Sequence, residues 1–309
     1  MIESTTLGRS GVKVSRLGFG TSAIGGLYAA MTDEAAAETL DAAWAVGTRF
    51  FDTAPHYGAG LAERRLGAFL RGRTDHVVST KVGRLLRPGP AAEGDEGFYG
   101  TPPLVRVRDY SADGVYRSLA ESLERTGLDA FDILLIHDPD DYWEQAVRGA
   151  YPALARLRDE GAARAIGAGM NQSAMLSRFV TETDIDCVLV AGRYTLLDRE
   201  AEKELLPLCA ERSVGVIVGG VFNSGVLADP GPGATFDYAP VPPEVRRRVT
   251  ELAGLCDGYD VPLAAAALRF PLRHKAVSSV LVGARTPAEV AENVAHLNMD
   301  IPEELWAEL

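Results

Sequence analysis

The chain alternates between strand-like and helix-like segments, and this alternation constrains its fold more than any other feature of the sequence. Short apolar runs predict eight strands, at 16–21, 49–52, 76–81, 131–136, 164–168, 187–191, 214–219 and 277–282. Helical patterns predict eight helices, at 33–46, 60–71, 112–126, 142–160, 173–182, 199–212, 243–259 and 287–296. Because regular βα alternation builds a closed parallel sheet, we predict an α/β fold of the (β/α)8 TIM-barrel type, with residues 1–309 as a single domain.

Segments outside this alternation predict additions to the barrel. Residues 4–15 alternate loosely around two glycines and predict an N-terminal β-hairpin, and Leu263–Leu272 predicts an extra helix before the last strand. Two stretches rich in Gly, Pro and charge, 84–110 and 223–242, follow the third and seventh strands, and each is either a substrate lid or a disordered insertion. Aromatic side chains favour the lid and predict substrate contacts for Phe98, Tyr99, Phe236 and Tyr238.

The charge and the cysteine content exclude several classes of function. A net charge of −12 over 309 residues argues against nucleic acid and anionic membranes as partners. Three widely spaced cysteines lack a metal-binding spacing and suggest a reducing compartment. The first residues lack the features of a signal peptide, and no apolar run approaches the length that spans a membrane. We expect a cytoplasmic protein with a small-molecule partner and no metal, and the sequence leaves its oligomeric state open.

Four polar residues stand where catalytic groups of a barrel would lie. Asp52, Lys81 and His137 close the apolar runs of the second, third and fourth strands, and Tyr57 follows shortly after the first of them. The C-terminal ends of barrel strands carry the active site of this fold, so this tetrad should meet there. Lys81 would lower the pKa of the Tyr57 phenol, and Asp52 would keep Lys81 charged. With His137 bound to the reacting oxygen, the tetrad predicts acid–base catalysis at a carbonyl or alcohol carbon.

Simpler explanations exist for each of these residues. Asp52 and Lys81 could form a structural ion pair, Tyr57 could be a loop aromatic and His137 a core histidine, but their joint placement at adjacent strand ends favours catalysis. A strand-end lysine could also be the nucleophile of a Schiff-base aldolase. The glycine pattern at 18–23 matches a dinucleotide fingerprint, yet no helix follows it at once, so we interpret it as the first barrel strand.

Motifs along nearly the whole chain resemble the aldo-keto reductase family. The matching segments are Phe51–Gly58, Glu63–Gly67, Ser79–Gly83, Asp109–Ser111, Glu121–Asp129, Leu134–Asp138, Thr286–Pro287 and Glu292–Asn293. This resemblance implies a (β/α)8 barrel, a nicotinamide cofactor bound without a Rossmann fold, and no metal. It also implies that Tyr57 is the general acid/base of the tetrad and that Asn171 binds the nicotinamide carboxamide.

Two runs resemble one branch of this family in particular. Ala191–Leu197 and Gly219–Gly225 are similar to the branch that contains L-fucose (D-threo-aldose) dehydrogenase and pyridoxal 4-dehydrogenase. Ala191 and Gly219 stand where many members have a glutamine and a stacking tyrosine, so we do not carry those two contacts over. The resemblance implies a cofactor site formed by Asn171, Gly219, Phe222, Asn223, Gly225, Gly283, Arg285, Glu289 and Asn293.

The segment 283–289 bears on the choice between NAD and NADP. Arg285 precedes a predicted helix N-terminus, and the two together predict a phosphate site. Many NADP-dependent members of the family have a basic residue in place of Glu289 and a lysine in place of Gly283. A carboxylate at this place would repel the 2′-phosphate of NADP, so we predict that NAD is preferred, with NADP use through Arg285 left open. Thr286 and Glu289 also match a helix capping box, which needs no cofactor.

The sequence therefore predicts an NAD(P)-dependent oxidoreductase that transfers hydride between nicotinamide and an aldose, as an aldose 1-dehydrogenase does. Oxidation would convert a sugar hemiacetal to a lactone. Two alternatives stay within the family, namely pyridoxal 4-dehydrogenase and a general aldehyde or ketone reductase. Another alternative is a subunit that binds the cofactor as a sensor, as some family members do beside a channel.

Overall fold

Eight parallel strands close into a barrel in the computed structural model, which describes residues 2–90, 92–237 and 239–309. In order around the barrel, these strands are β3 (Leu17–Gly20), β4 (Phe50–Asp52), β5 (Val77–Val82), β8 (Ile133–His137), β9 (Ala165–Met170), β10 (Cys187–Ala191), β11 (Gly215–Gly219) and β14 (Val277–Val282). Three antiparallel pairs lie outside the barrel: β1 (Ser4–Thr6) with β2 (Lys13–Ser15), β6 (Arg84–Pro88) with β7 (Leu104–Arg108), and β12 (Thr235–Phe236) with β13 (Ala239–Pro240). The predicted barrel and its eight strands are confirmed.

Helices surround the barrel at the eight predicted positions, two of which are each divided into two helices, and the last helix, Glu303–Glu308, was not predicted. They are α1 (Asp33–Ala45), α2 (Leu61–Leu70), α3 (Ala112–Thr126), α4 (Trp143–Gln145), α5 (Tyr151–Asp159), α6 (Ser173–Glu182), α7 (Glu200–Lys203), α8 (Leu205–Arg212), α9 (Pro243–Asp257), α10 (Leu263–Arg269), α11 (Pro287–Asn298) and α12 (Glu303–Glu308). A π-helical turn at Ala146–Ala150 joins α4 to α5, and the predicted extra helix corresponds to α10. No helix in the described ranges is long and apolar enough to cross a membrane.

Side chains of the barrel strands alternate between two hydrophobic layers. In β8, Ile133 and Leu135 belong to the cluster inside the barrel, whereas the residues that alternate with them pack outward against the helices. Because successive residues of a strand face opposite sides of the sheet, His137 continues the interior series. The same two-residue period places Asp52 of β4 and Lys81 of β5 on the interior side. The alternation therefore directs three members of the tetrad toward the barrel axis.

The N-terminal hairpin of β1 and β2 closes the opposite end of the barrel. Leu7, Val12 and Val14 are buried in the same interior cluster as the barrel strands. Gly8 in the turn has a φ of 51°, and a Cβ there would lie 2.2 Å from the backbone nitrogen of Gly215. The turn therefore requires glycine, and the predicted hairpin is confirmed.

The two long connections on the catalytic side contain antiparallel strands. Residues 84–88 and 104–108 of the predicted loop 84–110 pair as β6 and β7, so these two segments form a hairpin and are not part of a disordered insertion. The Leu-Val-Arg-Val-Arg run at 104–108 has the two-residue period of a strand, which the Gly and Pro content of the stretch obscures. In the second connection, Thr235 pairs with Pro240 and Phe236 with Ala239.

A buried carboxylate of α2 connects the barrel to α3. Glu63 is fully buried, and its two oxygens accept hydrogen bonds from the Thr80 hydroxyl at 3.0 Å and from Arg125 Nε at 2.6 Å. Arg125 also donates to the Ser122 hydroxyl at 2.9 Å. Because a buried charge is costly without a partner, these contacts fix α2 and α3 against β5, the strand that carries Lys81.

Replacement of Glu63 by glutamine should lower the free energy of unfolding by about 3 kcal/mol, because the largely buried Arg125 guanidinium loses its nearest counter-charge and retains Glu121 at 3.9 Å. Urea and thermal unfolding of Glu63→Gln would measure the loss. Glu124→Gln is the matched control, since Glu124 is exposed on α3 and its change should leave the midpoint unaltered. Equal midpoints for the two variants would contradict a structural role for the Glu63–Arg125 pair.

Candidate active site

Three strand ends bring their polar side chains to one place. Asp52, Lys81 and His137 end β4, β5 and β8 or lie next to their last residue, and these strands are neighbours in the barrel. All three side chains are buried. Tyr57 approaches them from the connection between β4 and α2, so the predicted tetrad is assembled in space as well as in sequence.

Glycine permits the path of the chain that presents Tyr57. The Tyr57 amide donates to the Ala54 carbonyl at 3.1 Å and closes a turn. Gly58, with a φ of 60°, follows, and a Cβ there would lie 2.1 Å from the Gly25 carbonyl oxygen. Any other residue at this position would separate the two connections and displace the tyrosine.

Lys81 makes three polar contacts with its ammonium group. Its Nζ donates to Asp52 Oδ2 at 2.5 Å, to the Thr53 carbonyl oxygen at 3.0 Å and to the Tyr57 hydroxyl at 3.0 Å. The second Asp52 oxygen accepts from the Ser79 hydroxyl at 2.7 Å. Since an ammonium has three N–H donors, every donor of Lys81 has an acceptor and its position is fixed.

Burial and charge oppose each other at Lys81 and Tyr57. Burial favours a lower pKa for Lys81, but Asp52 and the Tyr57 contact outweigh it, so the pKa of Lys81 is raised and the side chain stays charged. Burial raises the pKa of Tyr57, and Lys81 offsets only part of that rise. Our prediction of a lowered Tyr57 pKa is therefore wrong for the net shift, although Lys81 acts in the predicted direction.

A neutral imidazole stands beside the phenol. The rings of His137 and Tyr57 meet edge to face, with their centroids 5.9 Å apart. Burial, followed by the charges of Arg84 and Lys81, lowers the pKa of His137 well below its usual value. The ring therefore offers one N–H and one lone pair at neutral pH. Within the described part of the chain, its buried Nδ1 has no hydrogen-bond partner.

Two arginines of the β6–β7 hairpin contact the turn that carries Tyr57, and no sequence motif predicted them. Arg84 Nη1 lies 3.1 Å from His56 Nδ1, and Arg106 donates to the His56 carbonyl oxygen at 3.1 and 3.2 Å. Burial and the charges of both arginines lower the pKa of His56 well below its usual value. A usable signal was the position of Arg84, which lies three residues after Lys81 at the same edge of the barrel.

The residues predicted to contact substrate are placed differently from one another. Phe98 is buried and stacks on the Tyr57 ring at a centroid distance of 6.3 Å. Tyr99 is partly exposed, and Phe236 packs against the core from the second connection. None of Phe98, Tyr99 and Phe236 lines the cleft at the ends of β3, β10, β11 and β14, and Tyr238 lies outside the described residues. Phe98 contacts the Tyr57 ring, and a direct substrate contact stays a prediction for all four residues.

A cleft of about 670 Å³ opens beside Asp52 and Tyr57 at the ends of β3, β10, β11 and β14. This volume is within the range of roughly 300–1,000 Å³ that is usual for ligand sites. All nine residues predicted to bind a cofactor line the cleft, namely Asn171, Gly219, Phe222, Asn223, Gly225, Gly283, Arg285, Glu289 and Asn293.

Asn223 gives the cleft an unpaired polar atom. Its side chain is buried, and Nδ2 donates to the Gly192 carbonyl oxygen at 3.3 Å. Its Oδ1 has no hydrogen-bond partner among the described residues. A buried acceptor at the wall of a cleft fits a ligand with N–H or O–H donors, as an amide-bearing cofactor has.

Arg285 and Glu289 at the far end of the cleft are both engaged by the protein itself. The Arg285 guanidinium donates to the carbonyl oxygens of Leu27, Ala29 and Ala30, each at 3.0 Å. Its backbone N–H donates to the Glu289 carboxylate at 2.8 Å. The Thr286 hydroxyl accepts a hydrogen bond from the Glu289 backbone amide at 3.2 Å. The two residues therefore form the helix cap that the sequence offered as the explanation without a cofactor.

Side chains from opposite walls meet across the cleft, and the sequence did not predict these contacts. The Tyr28 phenol, from the connection after β3, hydrogen-bonds the side chains of Ser224 and Thr235 from the connection after β11. Arg193, which follows β10, pairs with Asp237 at 3.2 Å. Both links use exposed or half-buried polar residues of loops, a type that carries no recognisable sequence pattern.

Comparisons with known proteins identify the family to which the chain is similar. The model of the Aldo/keto reductase family matches residues 16–309. A D-threo-aldose 1-dehydrogenase from a Pseudomonas species is 44% identical, covering 97% of this chain and 94% of the relative. A pyridoxal 4-dehydrogenase from Microbacterium luteolum is 43% identical, with coverages of 99% and 96%.

A solved structure shares the fold at lower sequence identity. The structure of a glycerol dehydrogenase from Gluconobacter oxydans superposes with a TM-score of 0.80 at 24% identity. The match covers 99% of this chain and 93% of that one, and it supports the barrel fold alone. The family match and the two similar relatives confirm the resemblance in the sequence motifs. This chain belongs to the aldo/keto reductase family.

Proposed function

We propose that this chain is an aldose 1-dehydrogenase that oxidises a sugar hemiacetal to a lactone and prefers NAD. The chain is an oxidoreductase by its family, whose members use nicotinamide cofactors. The hydrogen-bonded series from Asp52 through Lys81 to the Tyr57 hydroxyl, at the end of a cofactor-sized cleft, carries the proposal. The similar D-threo-aldose 1-dehydrogenase supports the choice of substrate.

The tetrad would handle the proton that leaves the sugar hydroxyl. A bound nicotinamide would supply the hydride acceptor for oxidation. Tyr57, as phenolate, would take the hydroxyl proton, and the fixed ammonium of Lys81 favours that phenolate. Asp52 keeps Lys81 charged, and the neutral His137 would donate its N–H to the reacting oxygen. In the reductive direction, Tyr57 would return the proton to the oxygen.

The cleft provides matching groups for the cofactor. Asn171 would bind the carboxamide of the nicotinamide, and the unpaired Oδ1 of Asn223 would accept a hydrogen bond from a donor group of the cofactor. At the other end of the cleft, the Arg285 guanidinium already donates to three backbone carbonyl oxygens of the protein, so these hydrogen bonds compete with a contact to a 2′-phosphate. The exposed Glu289 carboxylate adds a negative charge that repels a 2′-phosphate and can accept from a free 2′-hydroxyl. These features favour NAD over NADP.

A second candidate substrate is pyridoxal, because the pyridoxal 4-dehydrogenase relative has almost the same identity as the aldose dehydrogenase. Oxidation rates with a panel of aldoses and with pyridoxal, each with NAD and with NADP, would decide between the two. Turnover of pyridoxal alone would replace the aldose proposal. The aldolase alternative is disfavoured, because a Lys81 held as an ammonium by Asp52 is a poor nucleophile.

Tyr57→Phe should reduce kcat about 10²- to 10⁴-fold, because it removes the hydroxyl that exchanges the proton. Cofactor affinity, measured by quenching of intrinsic fluorescence, should change little. Tyr116→Phe is the matched control, since this tyrosine is exposed on α3. A Tyr57→Phe enzyme with the turnover of the control would contradict the general acid/base role.

Lys81→Met should move the basic rise of the kcat profile for oxidation to higher pH. Lys81 counteracts the burial that raises the Tyr57 pKa, so its loss raises that pKa further and the phenolate forms later. The double variant Asp52→Asn/Lys81→Met removes the carboxylate that Lys81→Met leaves unpaired. It should shift the profile in the same direction but less far, because the Asp52 charge itself raises the Tyr57 pKa. A profile that keeps its wild-type position in both variants would assign Lys81 another role.

Glu289→Arg should shift the ratio of kcat/KM values for NAD and NADP toward NADP by about tenfold or more, which corresponds to roughly 1.4 kcal/mol. Glu289→Gln separates charge from capping, because its amide oxygen can still accept from the Arg285 backbone. Steady-state kinetics with both cofactors measure the ratio. A ratio that neither variant changes would limit Glu289 to the helix cap, and a wild-type preference for NADP would refute the NAD assignment.

A further inference from the structure

The residue after His137 is held in an unusual backbone conformation. Asp138 has a φ of 43°, in the left-handed region that most non-glycine residues avoid. The fully buried Tyr110 hydroxyl lies 2.6 Å from the His137 carbonyl oxygen and 2.7 Å from that of Asp138. The Asp138 amide donates to the Gly169 carbonyl oxygen at 3.0 Å. Strain of this kind persists where the surroundings fix it, which is common at functional sites.

This conformation places the Asp138 carboxylate beside the catalytic imidazole. Its Oδ2 lies 3.4 Å from His137 Nε2 and accepts a hydrogen bond from Arg84 Nη2 at 2.5 Å. The Arg84 side chain is 8% exposed, whereas that of Asp138 is 26% exposed, so part of the carboxylate remains open. From the described residues, Asp138 Oδ1 accepts no hydrogen bond.

The arrangement suits a ligand with oxygens on adjacent carbons. His137 is the proposed partner of the reacting oxygen, and the neighbouring carboxylate accepts hydrogen bonds but donates none when ionised. Burial raises the pKa of the Asp138 carboxyl above its usual value, whereas the ion pair with Arg84 favours the ionised form and offsets part of that rise. Oxygens on adjacent carbons of a sugar are separated by about one hydrogen-bond length, roughly 2.8 Å. An oxygen bound at His137 would therefore bring the next hydroxyl within reach of Asp138.

We propose that Asp138, positioned by Arg84 and Tyr110, binds the hydroxyl on the carbon next to the reacting one. This inference rests on the proposed aldose dehydrogenase function and narrows its substrate class to aldoses with a free hydroxyl at C2. The carboxylate contacts the substrate, and Arg84 and Tyr110 act through it. A hydrogen bond to a charged acceptor should favour such a sugar over its 2-deoxy analogue roughly 10- to 100-fold in kcat/KM.

The test compares L-fucose with 2-deoxy-L-fucose in wild type and Asp138→Gly. Glycine accepts a positive φ, and Glu96 remains 3.3 Å from Arg84, so the variant should fold. We expect kcat/KM for L-fucose to fall to near that of the deoxy sugar, whose own value changes little. Asp138→Asn keeps the side-chain volume and should fall between wild type and Asp138→Gly. Asp141→Asn, an exposed change in the same connection, should match wild type.

Three other outcomes would overturn the assignment, and they are distinguishable. An equal fall for both sugars in the Asp138 variants would mean that the carboxylate acts only through His137. Equal kcat/KM values for the two sugars in the wild type would remove the specificity while leaving the aldose dehydrogenase function intact. Absence of oxidation of L-fucose and of every other aldose in the panel, with NAD and with NADP, would refute the proposed function and this inference together.

Discussion

The buried ion pair between Lys81 and Asp52 is the interaction on which the rest of the site depends. Removing two charges from water costs several kcal/mol each, and only close pairing and further hydrogen bonds offset that cost. Here Ser79 of β5 supplies one of those bonds, and Thr53 and Tyr57 of the connection after β4 supply the others. The pair is therefore satisfied only while β4 and β5 keep their register, and the fully buried strands secure that register.

The members of the tetrad differ in their charge. Lys81 holds a permanent positive charge, whereas burial and that same charge keep His137 neutral. A second imidazole nearby, His56, is kept neutral by burial and the arginines of the β6–β7 hairpin. The phenol of Tyr57 is thus the group whose protonation can change near the proposed reacting oxygen without a competing imidazolium beside it.

Much of the fold could be predicted because buried parallel strands are short, mainly apolar runs that alternate with helical patterns. These runs located all eight barrel strands, three of which close at Asp52, Lys81 and His137, and the two-residue period indicated the side of the sheet for Asp52 and Lys81. The net pKa shift of Tyr57 could not be predicted, because desolvation depends on atoms distant in sequence. The contacts of Arg84 and Tyr28 could not be predicted for a related reason. Their partners lie on other connections, and a single sequence does not show which loops contact each other.

The connection after β3 joins two ends of the site that differ in function. Arg285 holds its carbonyl oxygens at the far end of the cleft, and Leu27 of the same connection pairs with Phe98, whose ring stacks on Tyr57. A change that frees Arg285 from these carbonyls would loosen the contact that supports Phe98. We therefore expect the proposed choice of nucleotide and the proposed choice of sugar to be coupled in this barrel, so that variants selected for one would carry a correlated change in the other.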